Sequence, residues 1–324
     1  MKYIVLSDTH FGVKNNSITW MNSQLGFIYK EFIPYIQSLK NKGEKVTIIH
    51  CGDVFDSRSS INPLVASKVR KMFKDIIQLT QSPIYVIAGN HDFYSPNDDS
   101  INSLQLVLRG IKELCLVTTE HIVIDNENVL VPWYVFDNIE IMKSIVSIHP
   151  KRIFCHTDLV HLSIEYTQLL KDITVYSGHI HTPQRKNNLI TLGSTFALTF
   201  TDCNAERGFY EIDTETSAIH FHAAKNIIKF WRFHNEEIFS IDVDSLRNDY
   251  IELYIDKLNL LNDRYSERIA FITANVKNSV VIPNVEQAQL NETVEFANYD
   301  IEKICEQNIP DELKPKFHEI SVIT

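Results

Sequence analysis

Residues 1–12 of the chain read Met1-Lys2-Tyr3-Ile4-Val5-Leu6-Ser7-Asp8-Thr9-His10-Phe11-Gly12. The apolar run Lys2–Leu6 predicts a buried strand, and Asp8 and His10 follow soon after it. Polar side chains at the carboxyl end of such a strand are well placed for ligands, because ligands in open α/β sheets gather at that edge. The D-x-H pattern alone is weak, since Asp and His meet by chance in many loops.

Four further polar clusters extend this pattern along the chain. They are Gly52-Asp53-Val54-Phe55-Asp56, Gly89-Asn90-His91-Asp92, His156 and Gly178-His179-Ile180-His181. Four of the five clusters directly follow a predicted strand, so we expect their side chains to converge at the carboxyl edge of a sheet. A G-D or G-N-H-D run alone is often only a turn. The joint occurrence in this order is far more specific and predicts a functional site.

The residue types in these clusters predict a centre with two divalent metal ions. The ligand-type side chains are the carboxylates Asp8 and Asp53, the amide Asn90, and the histidines His10, His156, His179 and His181. Imidazole together with carboxylate suits Mn, Fe or Zn, whereas calcium sites are built from oxygen alone. Two divalent cations outweigh the two carboxylates, and the surplus positive charge leaves room for an anionic phosphate.

Two pairs of these ligands are spaced i, i+2, namely Asp8 with His10 and His179 with His181. In extended chain, residues at this spacing point to the same side. We therefore expect each pair to reach one metal centre together.

His156 has the least marked local pattern among the expected ligands. It follows the predicted strand Ile153–Cys155 directly, which the other histidines after residue 100 match less well. The competing histidines are His50, His121, His149 and His161, while His220 and His222 imitate a ligand pair. His50 lies within an apolar strand and is expected in the core. The late pair has no carboxylate motif beside it, so both of its histidines are expected to face solvent.

Alternating strand and helix patterns predict an α/β fold. The expected strands are Lys2–Leu6, Val46–His50, Ile84–Ala88, His121–Ile124, Val129–Pro132, Ile153–Cys155, Ile173–Ser177, Asn188–Leu192, Phe196–Phe200, Phe209–Ile212 and Ile219–Phe221. The expected helices among them are Trp20–Leu39, Pro63–Leu79, Ile101–Arg109 and Ile139–Ile148. Strands that alternate with helices and then follow one another predict a two-sheet β-sandwich flanked by helices.

Three domains are expected. A main domain spans residues 1–232, and a small α/β cap domain spans residues 233–283, with strands at Tyr250–Ile255 and Ser279–Ile282 around a helical stretch. Pro283-Asn284 marks the next boundary. A C-terminal helical segment spans residues 284–324 and contains an amphipathic helix candidate at Val294–Gln307.

The charge of the chain is unevenly distributed. The formal net charge is -10, but residues 1–234 contain 23 basic and 23 acidic side chains, whereas residues 235–324 contain 8 and 18. The first part can therefore carry local basic patches. The pairs Lys151-Arg152 and Arg185-Lys186 flank the expected ligands His156 and His181, so both pairs are expected near the metals. No apolar run is long enough to span a bilayer, so no membrane partner is expected. Five scattered cysteines predict reduced thiols in a cytoplasmic protein.

The motifs around Asp8, Asp53, Asn90 and His179 resemble those of the calcineurin-like metallophosphoesterase superfamily. Further features narrow the resemblance to the SbcD family, the nuclease subunits of double-strand-break repair complexes, and to its phage recombination-nuclease branch. They are Phe11-Gly12, Phe55-Asp56, Leu192-Gly193-Ser194 and Arg207-Gly208-Phe209. The motifs cover residues 7 to about 210. One departure lies at Cys155-His156-Thr157, where the family pattern suggests a glycine beside the histidine.

The resemblance implies a role for each ligand. One metal ion is expected on Asp8, His10, Asp53 and His181, and a second on Asp53, Asn90, His156 and His179, so that Asp53 bridges them. His91 matches the catalytic histidine of the family. The implied ions are manganese, with magnesium as the alternative.

The resemblance also implies partners. We expect a DNA nuclease with exo- or endonuclease activity, a DNA-recognising cap, a C-terminal segment that docks on an SMC-like ATPase subunit, and a homodimer. The dimer is expected on helices near the amino terminus, where Trp20, Phe27, Phe32 and Ile36 offer apolar side chains, unless these simply cover the sheet. A small-substrate phosphodiesterase or phosphatase of the same fold is the alternative, and a metal-free scaffold is a third.

Overall fold

Two six-stranded sheets form the main body of the chain. The structure is a computed structural model and describes residues 1–203 and 205–284. Its strands are β1 (Lys2–Leu6), β2 (Val46–Cys51), β3 (Ile84–Ile87), β4 (Phe93–Ser95), β5 (Asp98–Asn102), β6 (Leu114–Val117), β7 (Ile122–Ile124), β8 (Asn128–Val131), β9 (Arg152–His156), β10 (Thr174–Gly178), β11 (Gln184–Lys186), β12 (Leu189–Thr191), β13 (Gly208–Asp213), β14 (Ile219–Ala223), β15 (Phe230–His234), β16 (Tyr250–Asp256) and β17 (Asn278–Asn284). Its helices are α1 (Val13–Asn16, one irregular turn), α2 (Ile18–Phe27), α3 (Ile33–Asn41), α4 (Pro63–Thr80), α5 (Ser103–Leu108), α6 (Trp133–Phe136), α7 (Ile139–Ser147), α8 (Ile164–Leu169), α9 (Lys257–Leu260) and α10 (Asp263–Asn275).

The first sheet has the order β14-β13-β1-β2-β3-β6, and the second has the order β11-β12-β10-β9-β8-β7. Strands β1, β2, β3 and β6 run parallel in the first sheet, and β8, β9, β10 and β12 run parallel in the second. Parallel neighbours end at the same edge, so the loops after β1, β2 and β3 lie side by side, as do those after β9 and β10.

Apolar side chains fill three layers. Tyr3, Phe154 and Tyr176 pack between the two sheets, where the rings of Tyr3 and Phe154 meet edge to face with centroids 5.7 Å apart. Helices α2 to α5 cover the outer face of the first sheet, and α6 to α8 cover the second. The expected two-sheet sandwich flanked by helices is therefore confirmed.

Residues Phe196–Phe200 do not form the expected strand. The carboxylate of Asp202 accepts the main-chain N–H groups of Leu198 at 2.8 Å and Thr199 at 3.1 Å. These N–H groups therefore bond to a side chain and are not available to pair with a neighbouring strand. Four pieces of the sheets were not expected from the sequence, namely β6, β11, β15 and the β4–β5 hairpin, all of them short.

The expected single helix Trp20–Leu39 is divided by a π-helical turn at Ile28–Phe32, between α2 and α3. Pro34 lies in the first turn of α3. Proline has no N–H and crowds the carbonyl four residues earlier, and the wider turn accommodates both effects.

A smaller unit follows β14, with a parallel sheet of order β15-β16-β17 and the helices α9 and α10. Strand β15 begins at Phe230, so the expected boundary between residues 232 and 233 falls within this strand. The expected helix Val294–Gln307 and residues 285–324 as a whole lie outside the described residues. In the part of the chain that the structure describes, no helix is long and apolar enough to cross a membrane.

The four side chains expected to form a dimer surface are all buried within the chain. Trp20 is 2% exposed, and Phe27, Phe32 and Ile36 are each 0% exposed. Phe27 meets Phe196 and Phe32 meets Phe209, whereas Trp20 stacks on Phe230 of β15 at 5.7 Å. The expectation that these residues contact a second copy is wrong, because other parts of the same chain already cover them.

Candidate metal centre

The loops after β1 and β2 lie side by side. The N–H of Asp8 donates to the carbonyl oxygen of Gly52 at 3.0 Å, and the N–H of His10 donates to that of Asp53 at 3.1 Å. Asp8, His10 and Asp53 are each at most 2% exposed. The pairing brings the first two polar clusters of the sequence to one buried place.

Four expected ligands have a left-handed backbone, with φ of 50° at Asp8, 44° at His10, 54° at Asp53 and 81° at His179. Residues other than glycine rarely adopt this conformation. Such strain costs on the order of 1–3 kcal/mol per residue and tends to cluster at functional sites. The surrounding hydrogen bonds must hold these turns, so the strain indicates a site that the fold maintains.

A first group of ligand atoms belongs to Asp8, His10, Asp53 and His181. Nε2 of His10 lies 3.9 Å from Oδ1 of Asp8 and 3.6 Å from Oδ2 of Asp53, while Nε2 of His181 lies 4.0 Å from Oδ1 of Asp8. Nε2 of the buried His10 makes no hydrogen bond with a described residue, whereas its Nδ1 lies 3.3 Å from the carboxylate of Asp56. Buried polar atoms nearly always have a partner, and a cation between these residues would supply it.

A second group surrounds the amide oxygen of Asn90. Nε2 of His156 lies 3.0 Å from that oxygen and 3.3 Å from Oδ1 of Asp53, and Nδ1 of His179 lies 2.9 Å from the same amide oxygen. Nδ1 of His156 donates to the carbonyl oxygen of Cys51 at 2.8 Å. A neutral His156 then presents only a lone pair at Nε2, which cannot donate to Asn90. Lone pairs that face one another in this way suit a metal ion.

The two histidines of the second i, i+2 pair, His179 and His181, direct their ring nitrogens to different places. His179 directs Nδ1 toward Asn90, whereas His181 directs Nε2 toward Asp8. The two rings therefore face different ligand groups, and the chain turns at His179 instead of remaining extended as the spacing argument assumes. The N–H of His179 donates to the Asp8 carboxylate at 3.1 Å and keeps the turn in place.

Asp92 joins the loops that follow β2 and β3. Its carboxylate accepts the N–H groups of Asp53 and Gly89 at 2.9 Å, Val54 at 3.1 Å and Phe55 at 3.3 Å. Sequence reasoning grouped Asp92 with its neighbours but gave it no role. Its only signal was its place at the end of the run Gly89-Asn90-His91-Asp92, and its main-chain partners are visible only in the fold.

Two motif glycines leave room for the ligands. A Cβ atom at Gly52 would lie 2.2 Å from Nδ1 of His156, and one at Gly89 would lie 2.2 Å from Oδ1 of Asp53. Gly52 also has φ of 90°, which favours glycine. Glycine at position 52 therefore leaves room for the ring of His156.

His91 lies beside both groups without joining the second. Its N–H donates to Oδ1 of Asp53 at 2.8 Å, and its Nδ1 lies 2.6 Å from the carbonyl oxygen of Asp56. Its ring is 5.0 Å from that of His10. With Nδ1 engaged by a carbonyl, Nε2 is the ring atom that can contact a substrate.

Comparison with known proteins identifies the family of the chain. Residues 1–188 match the calcineurin-like phosphoesterase family. The chain belongs to this family. Exonuclease subunit 1 of Enterobacteria phage T4 is 26% identical over 316 residues, which cover 91% of this chain and 88% of that protein.

Solved structures are also similar to this calcineurin-like phosphoesterase. A protein described as a novel archaeal phosphodiesterase has 16% identity and a TM-score of 0.36, and the match covers 69% of this chain and 99% of that one. A 5′-nucleotidase precursor from Thermus thermophilus has 10% identity and a TM-score of 0.35, with coverage of 69% and 54%.

Calcineurin-like phosphoesterases use divalent metal ions, and this chain has groups of side chains that fit such ions. In each of three groups the ligand atoms lie within 4.8 Å of one another. The groups are Asp8, His10 and His181; His10, Asp53 and His91; and Asp8, Asp53 and His156. Nε2 of His10, which has no hydrogen-bond partner among the described residues, agrees with the same requirement.

Burial and neighbouring charges shift the pKa values of the ligands in the metal-free phosphoesterase. Burial disfavours the charged form of Asp53, but the rings of His156 and His10 together hold the pKa of Asp53 below its usual range. Burial lowers the pKa of His156 less than Asp53 raises it, so the pKa of His156 reaches about 9. The pKa values of His179 and His181 are lowered, mainly by burial. A cation that binds His156 must displace a proton, so metal binding depends on pH.

The competing histidines lie outside these groups in the described residues. His50 is buried as expected, with Nε2 3.0 Å from the hydroxyl of Thr9. His220 is exposed as expected, but the expectation of solvent exposure is wrong for His222, because its ring stacks on that of Phe209 at 5.0 Å.

The expected proximity of Lys151-Arg152 to the metals is wrong. Arg152 begins β9, whereas His156 ends it, so the two residues lie at opposite ends of the strand. The guanidinium of Arg152 is buried and donates to Oδ1 of Asn128 at 3.3 Å. Arg185 and Lys186 are exposed on β11.

Proposed function

We propose that the chain is a DNA nuclease that hydrolyses phosphodiester bonds with two divalent metal ions. The observation that carries the proposal is the position of Asp53, whose Oδ1 faces His156 at 3.3 Å while its Oδ2 faces His10 at 3.6 Å. One carboxylate thus presents an oxygen to each ligand group, as a bridging ligand must. Similarity to exonuclease subunit 1 over 91% of the chain favours DNA over a small substrate.

Each of the two ligand groups described above is proposed to hold one ion. Asp8, His10, Asp53 and His181 hold the first ion, and Asp53, Asn90, His156 and His179 hold the second. Manganese suits this mixture of imidazole, carboxylate and amide, and magnesium is the alternative. Two such ions would polarise the scissile phosphate and activate a water molecule.

His91 is the proposed catalytic side chain. Asp56 engages its Nδ1 through a carbonyl oxygen and so fixes both the plane and the tautomer of the ring. With Nδ1–H donating to that carbonyl, Nε2 can give a proton to the leaving oxygen of the DNA strand, or donate a hydrogen bond to the scissile phosphate, when the ring is protonated on both nitrogens. Its contact with Asp53 through the main chain keeps it beside the bridging carboxylate.

The later part of the chain is proposed to serve partners. Residues 233–283 form a cap domain that recognises DNA, and residues 284–324 dock on an SMC-like ATPase, which makes the chain the nuclease subunit of a recombination or repair complex. The acidic excess of residues 235–324, with 18 acidic and 8 basic side chains, favours a protein partner for the final segment over the DNA backbone.

A homodimer is proposed on a surface other than the one expected from the sequence. Ile61, Tyr94, Ile101 and Leu106 line a cleft of about 300 Å³ beside α4 and α5. Tyr94 is 59% exposed, Ile101 51% and Leu106 77%. A cluster of large exposed apolar side chains is typical of a protein interface, and a second copy of the chain would cover it.

Metal titration followed by nuclease assays tests the proposal. The metal-free chain is titrated with Mn²⁺ and then assayed on duplex DNA with defined ends, with Mn²⁺ or Mg²⁺, and with or without the ATPase. The same preparation is assayed on a chromogenic phosphodiester and a phosphomonoester. Binding of two ions with cleavage of DNA is expected. Hydrolysis of only the small substrates would instead identify a small-substrate phosphoesterase, and failure to bind metal would identify a scaffold.

A further inference from the structure

A buried ion pair lies behind the loop that carries His181. Nη2 of Arg207 lies 2.9 Å from Oδ1 of Asp202, and both side chains are 1% exposed. Nη1 of Arg207 donates to the main-chain carbonyl oxygen of His181. The N–H of Ser194 donates to the same oxygen at 3.1 Å. The guanidinium therefore connects the His181 loop to Asp202.

The ring of His181 packs edge to face on that of His10 at 5.1 Å, but no hydrogen bond fixes it among the described residues. His156 and His91 each engage Nδ1 with a main-chain carbonyl oxygen. The ring of His181 makes no such hydrogen bond in the described part of the chain, and its side chain is 32% exposed. Ligating histidines usually depend on a partner of this kind for their orientation. The position of His181 thus depends on its backbone, which Arg207 holds together with the N–H of Ser194.

Asp202 is itself anchored, since its Oδ2 accepts the N–H groups of Leu198 at 2.8 Å and Thr199 at 3.1 Å. Burial of an arginine and a carboxylate has a large desolvation cost, and an apolar pair is often as stable or more so. The pair is therefore poorly explained by stability. The presence of arginine at position 207 is better explained by its planar guanidinium, which can hydrogen-bond the Asp202 carboxylate and the His181 carbonyl oxygen at the same time.

We propose that Arg207, held by Asp202, is a positioning residue that sets His181 for the first metal ion. The inference rests on the ligand assignment made under the proposed function. It predicts that removal of the guanidinium weakens one metal site and leaves the second, built on Asn90, His156 and His179, unchanged.

Mn²⁺ titration of the metal-free chain by calorimetry tests the inference, with thermal unfolding measured in parallel. Arg207→Met is expected to lower the affinity of one of two sites by about 10–100-fold. Arg207→Lys is expected to recover the unfolding temperature but not the affinity, because one ammonium cannot replace the fork. Arg152→Met is the matched control, since Arg152 is equally buried but lies at the far end of β9. It should lower stability without a change in affinity.

A double-mutant cycle separates positioning from general destabilisation. In a His181→Ala background, Arg207→Met should have no further effect on metal affinity. If Arg207→Met does not fold, Asp202→Asn tests the same link with little change in volume and should weaken the same site. Equal affinities in the wild type and in the Arg207 or Asp202 variants would overturn this inference alone. A wild-type chain that binds no Mn²⁺ would overturn it together with the proposed function.

Discussion

Asp56 contacts His91 and holds its ring, with Nδ1 of His91 2.6 Å from the carbonyl oxygen of Asp56. The same residue places its carboxylate 3.3 Å from Nδ1 of His10. The second motif therefore orients a proposed ligand and the proposed catalytic histidine at once, through different atoms. Because different atoms of Asp56 contact the two rings, metal binding and the role of His91 can be tested with separate substitutions.

We expect His91→Asn to keep both metal ions and to lose most of the turnover. A positioned imidazole typically contributes about 10²–10⁴-fold to a proton transfer. Mn²⁺ titration and single-turnover cleavage of DNA measure the two effects. His161→Asn is the control, since His161 is exposed and pairs with Asp158. Loss of metal together with activity would identify His91 as a ligand.

Asp53→Ala is expected to abolish the binding of both ions and reduce hydrolysis to background, because its two oxygens face different ligand groups. His179→Ala should remove only the second ion and yet also abolish hydrolysis. Calorimetric stoichiometry and the rate on a chromogenic phosphodiester measure these outcomes. His220→Ala, on exposed β14, should alter neither. Near-normal rates in either ligand variant would contradict the assignment.

The convergence of the ligands could be predicted from the sequence because parallel strands end at one edge. The path of the chain after each strand could not, since the turn at His179 depends on the Asp8 carboxylate, 171 positions away in the sequence. Asp92 illustrates the same limit, because its four N–H donors belong to two loops that meet only in the fold. Likewise, the spacing of Trp20 and Phe27 is typical both of an exposed apolar stripe and of a core face. Only their packing partners in the fold, Phe230 and Phe196, show that they belong to the core.

The stability of the metal-free chain should fall as the pH rises through the pKa of His156. That pKa is raised from 6.5 to about 9 because Asp53 stabilises the protonated ring more than burial destabilises it. The protonated ring of His156 makes its full contribution to the free energy of unfolding below about pH 6.5. This contribution decreases above that pH, is lost beyond about pH 9, and is on the order of 3 kcal/mol. Urea unfolding between pH 6 and 9.5 measures it, and His156→Gln should lack this slope.

Leu106→Asp is expected to convert a dimer into a monomer. Leu106 is 77% exposed, so the substitution should change the stability of the single chain by no more than about 0.5 kcal/mol. Sedimentation at micromolar concentration distinguishes the two states. Leu258→Asp is the control, since Leu258 is 80% exposed on α9, far along the chain from the cleft. A wild-type monomer under these conditions would contradict the proposed dimer.

Removal of residues 285–324 should leave the metal centre intact but abolish binding to the ATPase. All proposed ligands precede this segment, and the truncated chain retains β17, which ends at Asn284. Within the segment, apolar residues occur at helical spacing, namely Val294, Ala297, Ile301, Ile304 and Cys305. Such a stripe can bind in the groove of a partner, although it can equally pack on the cap of its own chain.

The truncated chain should stay folded, bind two Mn²⁺ ions and hydrolyse a chromogenic phosphodiester at the wild-type rate. A pull-down with the ATPase, and the full-length variant Ile301→Asp beside Glu302→Gln, tests the docking itself. Ile301→Asp places a charge in the stripe and should weaken the complex, whereas Glu302→Gln should not. Unfolding or aggregation of the truncated chain would show that the stripe packs on the cap. Full affinity for the ATPase without residues 285–324 would place the docking surface elsewhere on the chain.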